Sequence, residues 1–434
     1  MRSRTLVITA ALAGVLLVSR GASAAPMAAP SGVTGPVLPP ASAAAATLPT
    51  ADAIEQALAP ALSDPALGSS LGVVVVDVAT GDVVYEQDAS TPRSTASNEK
   101  VFTAASVLSA LGPEAVITTT VTWDSASSTL TIVGAGDPTL ASVAADGSSL
   151  GELADEVAVG VPAGTPITLA YDTSLFSGPD IAPGWEPDYP ALGVAAPVSA
   201  LLVDRARVPG STARETDPAL AAASAFAAML GERGLDVSDP QPGMATGAEI
   251  ASTESVPIAT MVETMLTESD NDMAESLAHL AGAQLTGTGS FESGAQATES
   301  ALTALAIPTS GLVSVDGSGL SYEDKAAPLT LASALATFAD DSSPAWSWPI
   351  LPGLPVAGLT GTLKDRFLDS EGAGVVRAKT GTLIGVSTLA GTVVNANGRL
   401  LVFAFMADQT GDIDAARAAL DQAATALATC DCSG

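Results

Sequence analysis

Two of the four lysines in this chain stand in short signatures that set an amine beside hydroxyl groups. Lys100 closes Ser97-Asn98-Glu99-Lys100, and Lys379 opens Lys379-Thr380-Gly381-Thr382. Between them lies Ser269-Asp270-Asn271. Serine is a weak nucleophile until a base takes its proton. A lysine three residues on in a helix shares the serine's face. It can act as the base once burial or a nearby cation lowers its pKa. Lys379 is the candidate cation; Glu99 would act the other way, although its position in the turn predicts that it points off the catalytic face. The chemistry this predicts is acyl transfer through Ser97, with Lys100 as base.

The other signature residues take complementary parts. Ser269 is placed to relay a proton to a leaving amine, and Asn271 to hydrogen-bond a substrate peptide. Lys379 attracts an anionic substrate end whose carboxylate Thr380 and Thr382 can bind, and Gly381 lets a substrate backbone approach. The backbone N–H groups of Ser97 and Thr382 would form an oxyanion hole. A Ser-His-Asp triad would depend on His279, the sole histidine. That residue falls in the apolar helical stretch Met273 to Leu280 and reads as a packing group.

Three elements must carry these residues. Val101, Phe102, Ala105, Val107, Leu108 and Leu111 recur at helical spacing behind Ser97, and Gly112-Pro113 ends the pattern. Ser269-Asp270-Asn271 separates two helical patterns, Val256 to Leu266 and Met273 to Leu280, and reads as a turn. Lys379-Thr380-Gly381-Thr382 ends a strand-like run that begins at Val375. Further strands are predicted at 387–394 and 399–406, joined by Asn395-Ala396-Asn397-Gly398, with a last helix over about 412–429. Leu71 to Gln87 reads as strand, turn, strand. Strands from both ends of the chain would complete one antiparallel sheet with flanking helices, an α+β fold.

The serines of the first two signatures are 172 residues apart, 269 − 97, which leaves room for a domain. The expected organisation is a catalytic domain in two parts, 50–113 and 251–434, around an inserted accessory region, 114–250. Within the insert, Thr118 to Trp123 and Thr129 to Val133 read as a hairpin, and Pro218 to Arg233 as a helix.

Arg2, Arg4, the apolar run Thr5 to Ser19 and Ala22-Ser23-Ala24 read as a secretory signal over 1–24. An Ala/Pro-rich flexible linker over 25–49 follows. Secretion places the mature chain outside the cytoplasm, in the cell wall or periplasmic space. Signal removal takes three arginines, so the net charge of −31 becomes −34. With no basic cluster, nucleic acid binding and strong membrane association are not expected. No metal or other cofactor is expected, given one histidine and two cysteines, Cys430 and Cys432, whose pairing the spacing leaves open.

Taken in order, the three signatures resemble those of penicillin-interacting serine acyltransferases. Over nearly all of residues 50–429 the chain resembles the D-alanyl-D-alanine carboxypeptidase/endopeptidase family, the class C low-molecular-mass penicillin-binding proteins. Gly134-Ala135-Gly136-Asp137-Pro138-Thr139-Leu140, Pro183-Gly184-Trp185 and Pro197-Val198-Ser199-Ala200-Leu201 carry the likeness outside the signatures. So do Asp316-Gly317-Ser318-Gly319-Leu320-Ser321 and Gly361-Thr362-Leu363. The resemblance implies a transpeptidase/β-lactamase-like catalytic domain interrupted by accessory domains. It further implies cleavage of D-Ala-D-Ala bonds or cross-bridges in peptidoglycan stem peptides, with β-lactams as covalent inhibitors. Two other readings compete. A class A serine β-lactamase would need a deacylating glutamate in an E-x-x-L-N loop. None of the four asparagines follows a glutamate at that spacing. A catalytically inactive peptidoglycan-binding protein on the same fold is opposed by the intact Ser97, Lys100, Ser269, Asn271 and Lys379.

Overall fold

The computed structural model describes residues 48–143, 147–162 and 164–432. The expected signal (1–24) and nearly all of the expected linker lie outside them.

The main sheet joins β1 (Ser70–Asp77) and β2 (Val83–Gln87) to β10 (Arg377–Leu383), β11 (Val386–Val394) and β12 (Leu400–Asp408). Its order is β10-β11-β12-β1-β2, antiparallel throughout. Both faces are covered, so the central strands are apolar on both sides rather than alternating. Along β1, Val74 and Val76 pack toward the helical side with Val101, Phe102, Met265 and Leu277. Leu71, Val73 and Val75 pack on the opposite face with residues of helices Ala51–Leu62 and Ile413–Thr429. Asp77 and Arg399 form a buried ion pair where β1 and β12 meet. The chain end is tied in: Cys430 and Cys432 are disulfide-bonded, and Thr50 N donates to Cys432 O at 2.9 Å.

One expectation needs correction. Lys379-Thr380-Gly381-Thr382 does not end a strand; the whole signature lies inside β10, which runs on to Leu383. A strand-interior glycine lowers strand propensity and hides the continuation. Here the glycine is required by packing. A Cβ at Gly381 would stand 2.1 Å from Thr388 Oγ1 and 3.0 Å from Thr95 O.

A two-stranded ribbon pairs β3 (Arg93–Ser94) with β9 (Lys325–Ala326). The third sheet holds β4 (Thr118–Asp124), β5 (Thr129–Val133), β6 (Thr168–Asp172), β7 (Gln241–Pro242) and β8 (Ala248–Glu254), in the order β7-β6-β5-β4-β8. Helices Leu150–Gly160 and Pro218–Glu232 pack on it around Val121, Leu130, Ile132, Leu153, Phe226 and Leu230. The boundary expected at 250 falls inside β8, which pairs with β4 through Glu254. As an edge strand with alternating exposed positions, β8 offers no apolar run to read.

Candidate active site

Ser97 sits in a single 3₁₀ turn, Ala96–Asn98, that leads into helix Glu99–Leu111. Neighbouring strands hold this turn. Asn98 Nδ2 donates to Thr388 Oγ1 at 2.6 Å, and Thr388 Oγ1 donates to Thr95 O at 3.2 Å. Ser269 is the left-handed residue (φ 57°) that closes helix Ile258–Glu268. Asp270 then caps helix Asn271–Thr286 by accepting from Met273 N at 2.9 Å.

The signatures converge through their lysines. Lys100 Nζ donates to Ser97 Oγ at 3.1 Å, to Asn271 Oδ1 at 2.8 Å and to Ser318 O at 2.7 Å. Lys379 Nζ donates to Ser269 Oγ and to Thr380 O, both at 2.9 Å. Thr380 Oγ1 and Thr362 Oγ1 are 2.9 Å apart, and Arg417 Nη2 donates to Thr382 Oγ1 at 3.3 Å. Those threonines, with Arg366, Arg417 and Asp421, line a cavity of about 570 Å³.

β10 is an edge strand, and its outer edge is partly covered: Ala378 N donates to Pro355 O at 2.9 Å. N–H groups alternate between the two edges of a strand. Those of Thr380 and Thr382 therefore face the same outer side as that of Ala378, away from β11.

Both lysine side chains are completely buried. Burial brings Lys100 down to about 8; Asp316, Glu275, Asp270 and Glu99 favour its charged form and limit the fall. Lys379 is pushed well below the ordinary lysine value, first by burial and then by the Lys100 charge. Among the described residues, no carboxylate is ion-paired to it. Of the two anticipated causes, burial is the one that lowers Lys100, and the repulsion between the two amines falls on Lys379.

Glu99 is buried. Ser314 Oγ donates to its Oε1 at 2.6 Å, and burial raises it to about 8. Its effect on Lys100 is the smallest of the four acids. His279 matches its packing assignment. Its ring lies 4.9 Å from that of Phe176 and 4.7 Å from that of Phe291, and burial lowers it to about 4.

Several site residues were beyond a motif search. Behind Lys100, Asp316 accepts N–H bonds from Ser318 (3.0 Å), Gly319 (2.6 Å), Ser321 (2.8 Å) and Trp185 Nε1 (2.6 Å). Glu275 accepts from Ser318 N at 2.8 Å and Gly317 N at 3.0 Å; burial raises it to about 8. Asp324 is raised by burial and by Asp316. The Asp316–Ser321 segment was visible only as a stretch that resembles the family. Its job of presenting the Ser318 carbonyl to Lys100 spans 218 residues of chain and leaves no local signal.

The fold resembles a solved penicillin-binding protein 4 (DacB) from Haemophilus influenzae. The likeness has a TM-score of 0.70 at 23% identity and covers 87% of this chain and 98% of that one. The chain also matches the D-Ala-D-Ala carboxypeptidase 3 (S13) family over residues 54–219 and 210–428. It is 36% identical over 430 residues to carboxypeptidase DacB of Mycolicibacterium smegmatis, covering 95% of this chain and 92% of that protein. To a D-alanyl-D-alanine carboxypeptidase of Actinomadura sp. it is 32% identical over 422 residues, 78% of each chain. The chain belongs to the S13 D-Ala-D-Ala carboxypeptidase family of peptidases.

Proposed function

We propose that the protein is a penicillin-sensitive, serine-type D-Ala-D-Ala carboxypeptidase/endopeptidase that acts on peptidoglycan stem peptides through a Ser97 acyl-enzyme. The contact of Lys100 Nζ with Ser97 Oγ, inside a buried site shared with Asn271, carries this reading. With Lys100 near 8, roughly a tenth of it is neutral at pH 7, enough for a base matched to its medium.

Neutral Lys100 takes the Ser97 proton as Oγ attacks the penultimate D-alanine carbonyl. The N–H groups of Ser97 and Thr382 stabilise the oxyanion. Collapse breaks the peptide bond and expels terminal D-alanine, whose nitrogen receives a proton relayed through Ser269. Lys379 keeps the Ser269 hydroxyl oriented for that relay. Thr380 and Thr382 take the substrate's carboxylate, and Asn271 Nδ2 has a second N–H for the peptide carbonyl. Water then hydrolyses the ester. The same attack on a β-lactam leaves a penicilloyl ester on Ser97, which makes β-lactams covalent inhibitors.

The substrate lies outside the cytoplasm, in agreement with the secretory pattern over 1–24. Among the described residues no helix is long and apolar enough to cross a membrane.

The test uses purified wild type and Ser97→Ala with a diacyl-D-Ala-D-Ala peptide and a fluorescent penicillin. D-alanine release together with lasting label, on wild type alone, is the expected result. Rapid loss of label without peptide cleavage would make the protein a β-lactamase. No label on either would leave a binding protein.

A further inference from the structure

The turn that carries Ser269 and Asn271 is gripped by residues from the inserted region. Asp270 and Asp272 flank Asn271, and each meets an arginine from there. Arg214 Nε and Nη2 both lie 2.8 Å from Asp272 Oδ2, and Ala196 N donates to Asp272 Oδ1 at 2.7 Å. These side chains are only 6% and 3% exposed. The guanidinium is itself fixed: Nη1 donates to Thr212 O at 3.0 Å, and Arg214 N donates to Pro190 O at 2.8 Å.

Arg205 Nη1 reaches Asp270 Oδ2 at 2.6 Å. It does so from a turn in which Asp204, Arg205 and Ala206 all have positive φ (51°, 56° and 51°). Three successive non-glycine residues in that region are costly and persist only where surrounding contacts over-determine them. Asn271 closes the set. Its Nδ2 donates to Val194 O at 2.8 Å while Oδ1 accepts from Lys100 Nζ at 2.8 Å. The Val194 carbonyl thereby decides which end of the amide faces Lys100. A flipped amide would oppose two donors there and two acceptors at Val194.

We propose that the insert is part of the catalytic apparatus. Arg214 and Arg205 are positioning residues that hold the Ser269–Asp272 turn so that the Asn271 carbonyl oxygen meets Lys100. A buried ion pair is a weak device for stability, since an apolar replacement of similar shape often serves as well. Arginine–aspartate pairs on both sides of Asn271, buried at Arg214 and half-exposed at Arg205, fit orientation better. The proposal rests on the Ser97–Lys100 reading given above.

The test measures acylation by fluorescent penicillin, kcat and KM for D-alanine release, and Tm on the full chain. Arg214→Ala, Arg214→Lys and Arg205→Ala are each made alone and combined with Asn271→Ala. Arg214→Ala should slow acylation about ten- to a hundred-fold, as displaced catalytic groups do. Arg205→Ala should cost less, and lysine at 214 should recover part of the loss. The effect should fall on kcat with KM nearly unchanged. In the Asn271→Ala background the arginine changes should add little, because they act through that amide. Native rates in the arginine variants, or losses that multiply with Asn271→Ala, would overturn the proposal. Should Arg214→Ala not fold, Arg205→Ala carries the same cycle from a pair whose arginine is 32% exposed. A wild type that takes no label and releases no D-alanine would refute the Ser97 reading, and the positioning proposal with it.

Discussion

Lys100 and Lys379 are equally buried and each bonds a serine hydroxyl, yet their surroundings differ. Lys100 faces Asp316, Glu275, Asp270 and Glu99, whereas Lys379 has hydroxyl and carbonyl partners with the Lys100 charge nearby. Desolvation disfavours both ammonium forms, but only at Lys100 do acids offset it. Lys379 is therefore pushed well below the ordinary lysine value with no acid among the described residues to hold it up, whereas the acids around Lys100 limit its fall to about 8. One residue type at one level of burial meets two electrostatic settings because of what lies behind it.

Removing each amine gives the largest effects. Lys100→Met should slow acylation by fluorescent penicillin about a thousand-fold, the scale of a lost general base. Lys379→Met should slow it about ten- to a hundred-fold, the scale of a misplaced catalytic group. Equal losses would erase the distinction. The pH profile sharpens it. The wild-type acylation rate should climb with pH through about 8, where Lys100 loses its proton, and then level off. Lys379→Met should lower the plateau and leave that limb in place. A limb displaced by the loss of Lys379 would show that the second amine shares the charge.

The smallest effect concerns the acids. Glu99 is raised to about 8 from an ordinary 4.5. Between those values the folded protein keeps a proton that the unfolded chain releases, so stability falls as pH rises through the window. Glu99→Gln should thus flatten the decline of Tm between about pH 5 and 8. Parallel Tm curves for wild type and variant would show that Glu99 is not held neutral.

The difference between the two lysine pockets also marks how far the sequence could be read. The three signatures, the strands of the main sheet and the C-terminal helix were legible because local patterns encode them. Continuous apolar runs such as Val73 to Val76 mark a strand buried on both faces. The gathering of acids behind Lys100 was not legible beyond Glu99. Glu99, Glu275, Asp316 and Asp324 come from three separate parts of the chain and look like ordinary members of an acidic composition. Arg205 and Arg214 were hidden similarly, as two arginines in a loop-rich region whose target lies more than fifty residues on. β8 escaped because an exposed edge strand alternates without an apolar run. β10 was cut short because Gly381 reads as a strand end, although the closeness of Thr388 and Thr95 requires it.

The most direct test of Ser97 as the acylated residue is peptide mapping of the penicillin-treated protein by mass spectrometry. Trypsin releases residues 94–100, a peptide bounded by Arg93 and Lys100. The account predicts a penicilloyl mass on that peptide, located to Ser97 by fragmentation and absent from Ser97→Ala. An adduct on Ser94, Ser269 or any other residue, or label that persists in Ser97→Ala, would contradict it.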